Sequence, residues 1–243
     1  MEFKLPTETI ELPSKGLLYP EGHPLASGTV EMKYMTAKEE DILTNQNYIN
    51  NGTVIDKLLK SLIVTEFNYN DLLVGDKNAI MIAARILSYG KDYPIQYNRE
   101  EIVVDLSLLD NKEHKVEYQR GNNEFTVTLP KSGNEVIFKV LTHGDELAID
   151  NEIKGLLKIN KNNATDVTTR LKHMIVAVNG SRERAVVRKF IDNYLLAADA
   201  RAIREEYSKV SPDINLKFTY THEDGSEEEV AVPIGLTFFW PDA

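Results

Sequence analysis

Five histidines, His23, His114, His143, His173 and His222, are the first residues in this chain that could hold a metal or move a proton. No two of them stand in HxxxH or HExxH spacing, so a histidine metal site would need convergence over long range. Acids cluster at Glu39, Glu40 and Asp41 and again at Glu227, Glu228 and Glu229, and a pair of carboxylates is what a glycosidase uses. Neighbouring acids on a helix point in different directions, however, and three glutamates after a glycine turn read as a solvated hairpin. The stretch LLVGDKNAI at 72–80 has one glycine and lacks the second glycine and Gly-Lys-Ser/Thr ending of a phosphate loop, so it reads as a helix start. There is no GxSxG elbow, and zero cysteines exclude thiol nucleophiles, disulfides and thiolate metal sites. The inventory predicts a binding protein with no catalytic residue, no cofactor and no metal.

The chain that must position these residues echoes itself. KYMTAKEE (33–40) returns as KVLTHGDE (139–146), LKSLIV (59–64) as LKHMIV (171–176), and LLVGDKNAI (72–80) as LLAADARAI (195–203), at offsets of 106, 112 and 123 residues. Three pairs in one order with growing offsets predict an internal duplication with later insertions, and a period near 110 is too long for a solenoid. The expected fold is α+β, with two related helix-rich lobes, each carrying a small antiparallel β segment. A Pro- and Gly-rich arm is expected over 1–28, a first lobe over 29–112, a β-hairpin bridge over 113–134, and a second lobe over 135–243 that ends in a β-hairpin and an aromatic tail.

Local signals fill in the elements. The arm reads as ordered loop, since each proline fixes φ and pushes its predecessor towards extended geometry. Residues 29–35 alternate as a strand, and Thr36 with Glu39 stands in capping-box spacing, repeated by Thr142 and Asp145 with a shorter acid. Val54, Leu58, Leu59, Leu62 and Ile63 make a helical stripe. Asp76 is expected to cap a helix that Gly90 ends, and Asp199 a helix to about residue 208. Between the lobes, 102–106 reads as a strand, 115–119 and 125–129 as a hairpin around the turn at 120–123, and 135–141 as another strand. The second lobe reads as helices over 143–159, 166–178 and 181–193, with the polar linker KINKNNAT at 158–165, and a last hairpin pairs 214–220 with 228–232.

Composition bounds what such a chain can do. Its 243 residues, 42% hydrophobic and 27% charged, can bury one large core or two ordinary ones. No apolar run approaches the roughly 20 residues of a membrane helix, and MEFKLPTETIEL lacks the basic-then-apolar order of a signal peptide, so a cytoplasmic protein without membrane contact is expected. A net charge of −10 argues against nucleic acid as a partner. That charge is uneven: residues 170–204 hold eight Lys or Arg against three acids, a local +5, and the rest carries −15. The basic helix, which has no counterpart in the first lobe, adds Arg182, Arg184, Arg188 and Lys189 as a candidate docking surface for an acidic partner, against the alternative of a solvated face with internal salt bridges. If it docks a partner, Arg184→Glu with Arg188→Glu should weaken capture and leave unfolding unchanged. Leu17, Leu18 and Tyr19 of the arm and Phe238, Phe239 and Trp240 of the tail are further candidate contacts, set either against the protein's own core or against another subunit.

Longer motifs add a resemblance. LPSKGLLYPEGHPL (12–25), YMTAKEEDILTNQ (34–46), VIDKLLKSLIV (54–64), LLVGDKNAIMIAARILSYGKDY (72–93), TTRLKHMI (168–175) and VPIGLTFFWPD (232–242) resemble the baseplate hub assembly proteins of T-even-like contractile-tailed bacteriophages, over 12–242. The resemblance implies a phage morphogenesis protein, made in the host cell cytoplasm, whose partners are other baseplate hub or tail proteins. It leaves open an assembly factor, a permanent hub subunit in the virion, and a hub-associated peptidoglycan hydrolase. Many members of that family place Cys pairs at the two β segments, suggestive of zinc knuckles. The corresponding places here, 97–100 and 221–224, hold no cysteine, so no structural zinc is expected, and the turn at Asp224 and Gly225 is left to close its loop. His222, Glu223 and Asp224 could bind a cation weakly.

Overall fold

The computed structural model describes residues 5–113, 116–159, 166–222 and 224–239. Thr7–Glu11 (β1), rich in β-branched residues, pairs antiparallel with Thr29–Lys33 (β2), placing Ile10 opposite Val30. The arm is therefore half of a hairpin, with one 3-10 turn at Pro24–Ser27, and not loop throughout. Thr36 then opens Ala37–Leu43 (α1), and Asn45 caps Gln46–Asn50 (α2) by accepting from the Asn47 and Tyr48 amides. Val54–Leu62 (α3) buries Val54, Leu58, Leu59 and Leu62, the apolar stripe read from the sequence.

Val74–Tyr89 (α4) is buried almost all round, as a central helix must be, with Ala79, Ile80, Ile82, Ala84 and even Arg85 enclosed. Gly90 ends it with φ +84°. Asp92–Tyr97 (β3) and Glu100–Asp105 (β4) form the next hairpin, with Leu106 turned into a 3-10 segment beyond the strand.

Among the described residues the hairpin expected between 115–119 and 125–129 does not form: residues 116–119 are not a strand, and Lys115 lies outside the described residues. Phe125–Thr128 (β5) instead pairs with Glu135–Phe138 (β6) across the turn at 131–134, where Gly133 takes φ +71°. His143–Ile159 (α5) and Asp166–Met174 (α6) follow, and six residues of the predicted polar linker, 160–165, lie outside the described residues. The last four residues expected in α6 are a strand: Ile175–Val178 (β7) pairs with β6 to complete a three-stranded sheet, because a β-branched run beside an open edge gains more as ladder than as helix. Arg184–Asn193 (α7) starts three residues later than expected, and Ala197–Val210 (α8) precedes the final hairpin of Lys217–Thr221 (β8) and Glu227–Ala231 (β9). A 3-10 turn at Leu236–Phe239 packs Phe238 edge-on to Tyr93, with ring centroids 4.9 Å apart. One hydrophobic core runs from Leu12 to Phe239.

Neither Asp76 nor Asp199 is a cap. Leu73 and Leu196 hold those positions, and each aspartate sits in the first helical turn as an acceptor for a distant loop. Asp76 accepts from the Ser14 amide at 2.9 Å, the Ser14 hydroxyl at 2.7 Å and the Tyr19 hydroxyl at 2.7 Å. Asp199 accepts from the Lys131 and Ser132 amides at 2.8 and 3.1 Å. Burial pushes the Asp76 carboxyl up against the hydrogen bonds that favour its charge, whereas at Asp199 the amides prevail over burial and hold it down.

The helices that open the echoed segments start at echoed positions: Ala37 and His143, Val54 and Asp166, Val74 and Ala197 are 106, 112 and 123 residues apart. Lys33 pairs with Glu39 at 2.9 Å and Lys139 with Asp145 at 2.8 Å. Met32 bridges Ile63 where Phe138 pairs with Ile175. Backbone hydrogen bonds join the two halves. The His143 amide donates to Leu72 O at 2.7 Å, and the Val74 amide to Leu141 O at 3.2 Å.

Two measurements follow. A Cβ at Gly75 would lie 1.7 Å from Pro212 O, so Gly75→Ala, which on helix propensity alone would stabilise by about 1 kcal/mol, is expected to destabilise by about 3 kcal/mol and lower the melting temperature. Burial would raise the Glu39 carboxyl, but hydrogen bonds from Lys33, Thr36 and Ser61 win and hold it at about 2, below its ordinary 4.5. A depressed carboxylate stabilises above the unfolded value and loses that stabilisation as pH falls through the folded one. Melting of the parent should therefore worsen between about pH 4.5 and 2, and Glu39→Gln should lose roughly 2–3 kcal/mol at neutral pH and flatten that acid dependence.

Candidate functional site

The arm residues are fixed by the turn that precedes them. Lys15 and Gly16 both take positive φ, 50° and 73°, and a Cβ on Gly16 would lie 2.6 Å from Gly28 N, so the chain doubles back where only glycine fits. That reversal sends Leu18 and Tyr19 inward, 2% and 3% exposed, and leaves Leu17 half-buried. The Tyr19 hydroxyl donates to Asp76 and accepts from the Leu73 amide at 3.0 Å, and its ring stacks on His23 with centroids 5.0 Å apart. Burial, and then the Asp76 charge, push this phenol far above its usual range. A cleft of about 520 Å³ opens beside it, lined among others by His23, Asp71, Asn123, Glu124 and Lys139.

Glu124 and Lys139 also belong to a second cleft of about 400 Å³, which gathers Lys172, His173, Arg182 and Arg184. Of the four predicted basic residues, this cleft takes Arg182 and Arg184, and acids of the same chain neutralise Arg182 and Arg188. Arg182, in the loop before α7, forms a bidentate pair with Glu124 at 2.8 and 2.6 Å, and hydrogen bonding to that guanidinium holds the Glu124 carboxyl down. Arg188 donates to Glu152 at 2.9 Å, and His173 Nε2 lies 3.0 Å from the same carboxylate. Lys172 pairs with Asp192, and Arg170 with Glu146. Arg184 and Lys189 are exposed and make no ion pair among the described residues. Arg188 is therefore structural as well as basic, and its reversal is expected to lower stability as well as capture.

The aromatic tail is elsewhere. Phe238 and Phe239 are fully buried, packed against each other at 5.4 Å and against Tyr93, so these two rings complete the protein's own core. Trp240 lies outside the described residues.

At the places where a zinc knuckle would fall, the two turns approach each other through side chains. The Tyr97 hydroxyl bonds the Glu228 carboxylate, His222 Nε2 lies 3.3 Å from the same group, and the Tyr97 and Tyr220 rings meet at 5.4 Å. Asn98 and Arg99 both take positive φ in the first turn, and Gly225 in the second. Neither turn carries a thiolate, and among the described residues no group of three or more His, Cys, Asp or Glu could hold a metal ion. Glu223 lies outside the described residues.

A family model described as T4 bacteriophage base plate protein matches residues 6–240. The chain belongs to that family. As a base plate protein it has a structural or assembly role in the phage baseplate and makes contacts with other baseplate proteins. No curated protein and no solved structure matches the chain. Among the described residues, no helix of this base plate protein is long and apolar enough to cross a membrane.

What sequence reasoning missed is the contact between the halves, where His143 is buried beside Tyr69, with Asp56 and Lys77 at 3.4 and 3.3 Å. Burial and the Lys77 ammonium hold this imidazole below its ordinary value, so it is neutral at pH 7. Its place directly after the capping-box threonine was the available signal. For the basic cleft, Arg188→Ala is expected to lower stability by about 1 kcal/mol, the pair being partly exposed, whereas Arg184→Ala leaves the melting curve unmoved; thermal denaturation of both variants checks it.

Proposed function

We propose that this chain is a non-enzymatic assembly protein for the central hub of a contractile-tail baseplate, working in the infected cell through protein contacts alone. The observation that supports this reading is the family match over 6–240, nearly the whole chain. The side chains that could do chemistry are also otherwise occupied. Glu39 bonds Thr36, Lys33 and Ser61; Asp76 and Asp199 hold loops; Glu152 is shared by His173 and Arg188. The exposed glutamates of β9 point to solvent along a hairpin edge and pair, where they pair, with Lys217, His222 and Tyr97.

We also propose that the two halves descend from one duplicated unit. Common offsets of helix starts, matched Lys–acid pairs and matched loop-holding aspartates support it, since unrelated halves have no reason to share all three. In this reading α7 is an addition to the second copy, and its exposed Arg184, which lines the cleft, and Lys189 offer a contact particular to that copy.

Tagged protein recovered from infected cells should carry baseplate hub proteins with it. Mass spectrometry of finished virions should lack the chain while the lysate contains it. Stoichiometric copies in virions would make it a permanent hub subunit, and a clearing band for the pure protein in a peptidoglycan zymogram would overturn the non-enzymatic reading.

A further inference from the structure

We propose that residues 195–197 dock residues 35–37 of a second copy of this chain, joining copies head to tail. The inference rests on the reading of the two halves as copies of one unit.

Within one chain, the halves meet where Leu72, Leu73 and Val74 receive Leu141, Thr142 and His143. Leu73 bridges Thr142, the His143 amide donates to Leu72 O, and the Val74 amide donates to Leu141 O. Both leucines and Leu141 are at most 1% exposed there. Every half has both a receiving and an inserting segment, but this contact consumes only the receiving segment of the first half and the inserting segment of the second.

The other two segments are left over. Leu196, the counterpart of Leu73, is 49% exposed, and Tyr194 beside it is 60% exposed. Leu195 O and the Ala197 amide, counterparts of the two bonded groups, make no backbone hydrogen bond among the described residues, nor do Met35 O and the Ala37 amide. A two-fold relation between the halves would have closed both contacts inside one chain. The observed relation closes one, and an interface of that kind continues from copy to copy, as a ring if the rotation closes and as an open series if it does not.

The side chains agree with the backbone. In the closed contact, His143 fits beside Asp56 and Lys77. At the open one, the counterparts are Ala37, Thr168 and Ala200. All three positions change together, from an ion pair beside a buried imidazole to three small uncharged side chains, so the docking copy strands no charge. The tight point of the closed contact is Gly144, whose Cβ would lie 3.0 Å from Asn70 O. Its counterpart Lys38 meets the C-terminal end of α7, where a cation is favoured.

Sedimentation velocity of the full-length protein, from micromolar to hundreds of micromolar, should show mass rising with concentration. Leu196→Glu and Ala37→Glu should each remain monomeric over that range with unchanged circular dichroism and melting, both sites being exposed. An equimolar mixture of the two variants should give a dimer and nothing larger, because each supplies one intact segment. A parent that stays monomeric, a variant that associates like the parent, or a mixture that stays monomeric would overturn the docking. The repeat is tested separately by Asp56→Thr, Lys77→Ala and His143→Ala combined, which gives the closed contact the side chains of the open one. Cooperative melting of that triple variant supports equivalence of the halves, and its failure to fold beside normal self-association in the parent would count against the repeat alone.

Discussion

The first turn of α4 is where the molecule is tied together. A helix start leaves amides without intrahelical partners, and here those donors and the side chains around them are satisfied by distant chain and not by a local cap. The Leu73 amide goes to the Tyr19 hydroxyl of the arm, the Val74 amide to Leu141 O of the second half, and Asp76 holds Ser14. Gly75 lets Pro212 O approach, Lys77 reaches Asp56, and Asn78 bonds Asp213 at 2.9 Å. Six consecutive residues thus fix the arm, the second half and the segment after α8 relative to one buried helix.

The electrostatics follow a different logic. The net −10 and the local +5 look like an invitation to an acidic partner, but most of the basic side chains of that region already face acids of their own chain. Such pairs are worth little as stability when exposed. They do cancel long-range attraction, so what remains to discriminate a partner is local: Arg184, Lys189, Arg204 and the apolar step formed by Tyr194 and Leu196.

Much of the fold was legible because period and punctuation agreed. The stripe Val54, Leu58, Leu59, Leu62 gave α3, and the Thr-x-x-acid spacing gave α1 and α5. The errors share a cause. Asp76 and Asp199 looked like caps because a short acid near a helix start usually serves its own helix, and no local signal says that its acceptors will be taken by Ser14 or Lys131. Ile175–Val178 looked like the tail of α6 because four apolar residues fit either period, and only the open edge of β6 decides between them. The hairpin at 115–129 failed for the same reason, since β5 found a better partner on its far side. At the candidate site, the alternatives left open between core and partner resolve to the core for Tyr19, Phe238 and Phe239, which are apolar enough for either and are buried.

The two loop-holding aspartates set an order of events during synthesis. Asp76 closes on Ser14 across 62 residues and Asp199 on Lys131 across 68, so each ring of chain is complete as soon as its own helix has emerged from the ribosome. The first can lock while the second is still untranslated, with Leu72 and Leu73 waiting uncovered until residues 141–143 arrive. During that interval the nascent chain displays leucines of the kind that the finished single chain still exposes at Leu196.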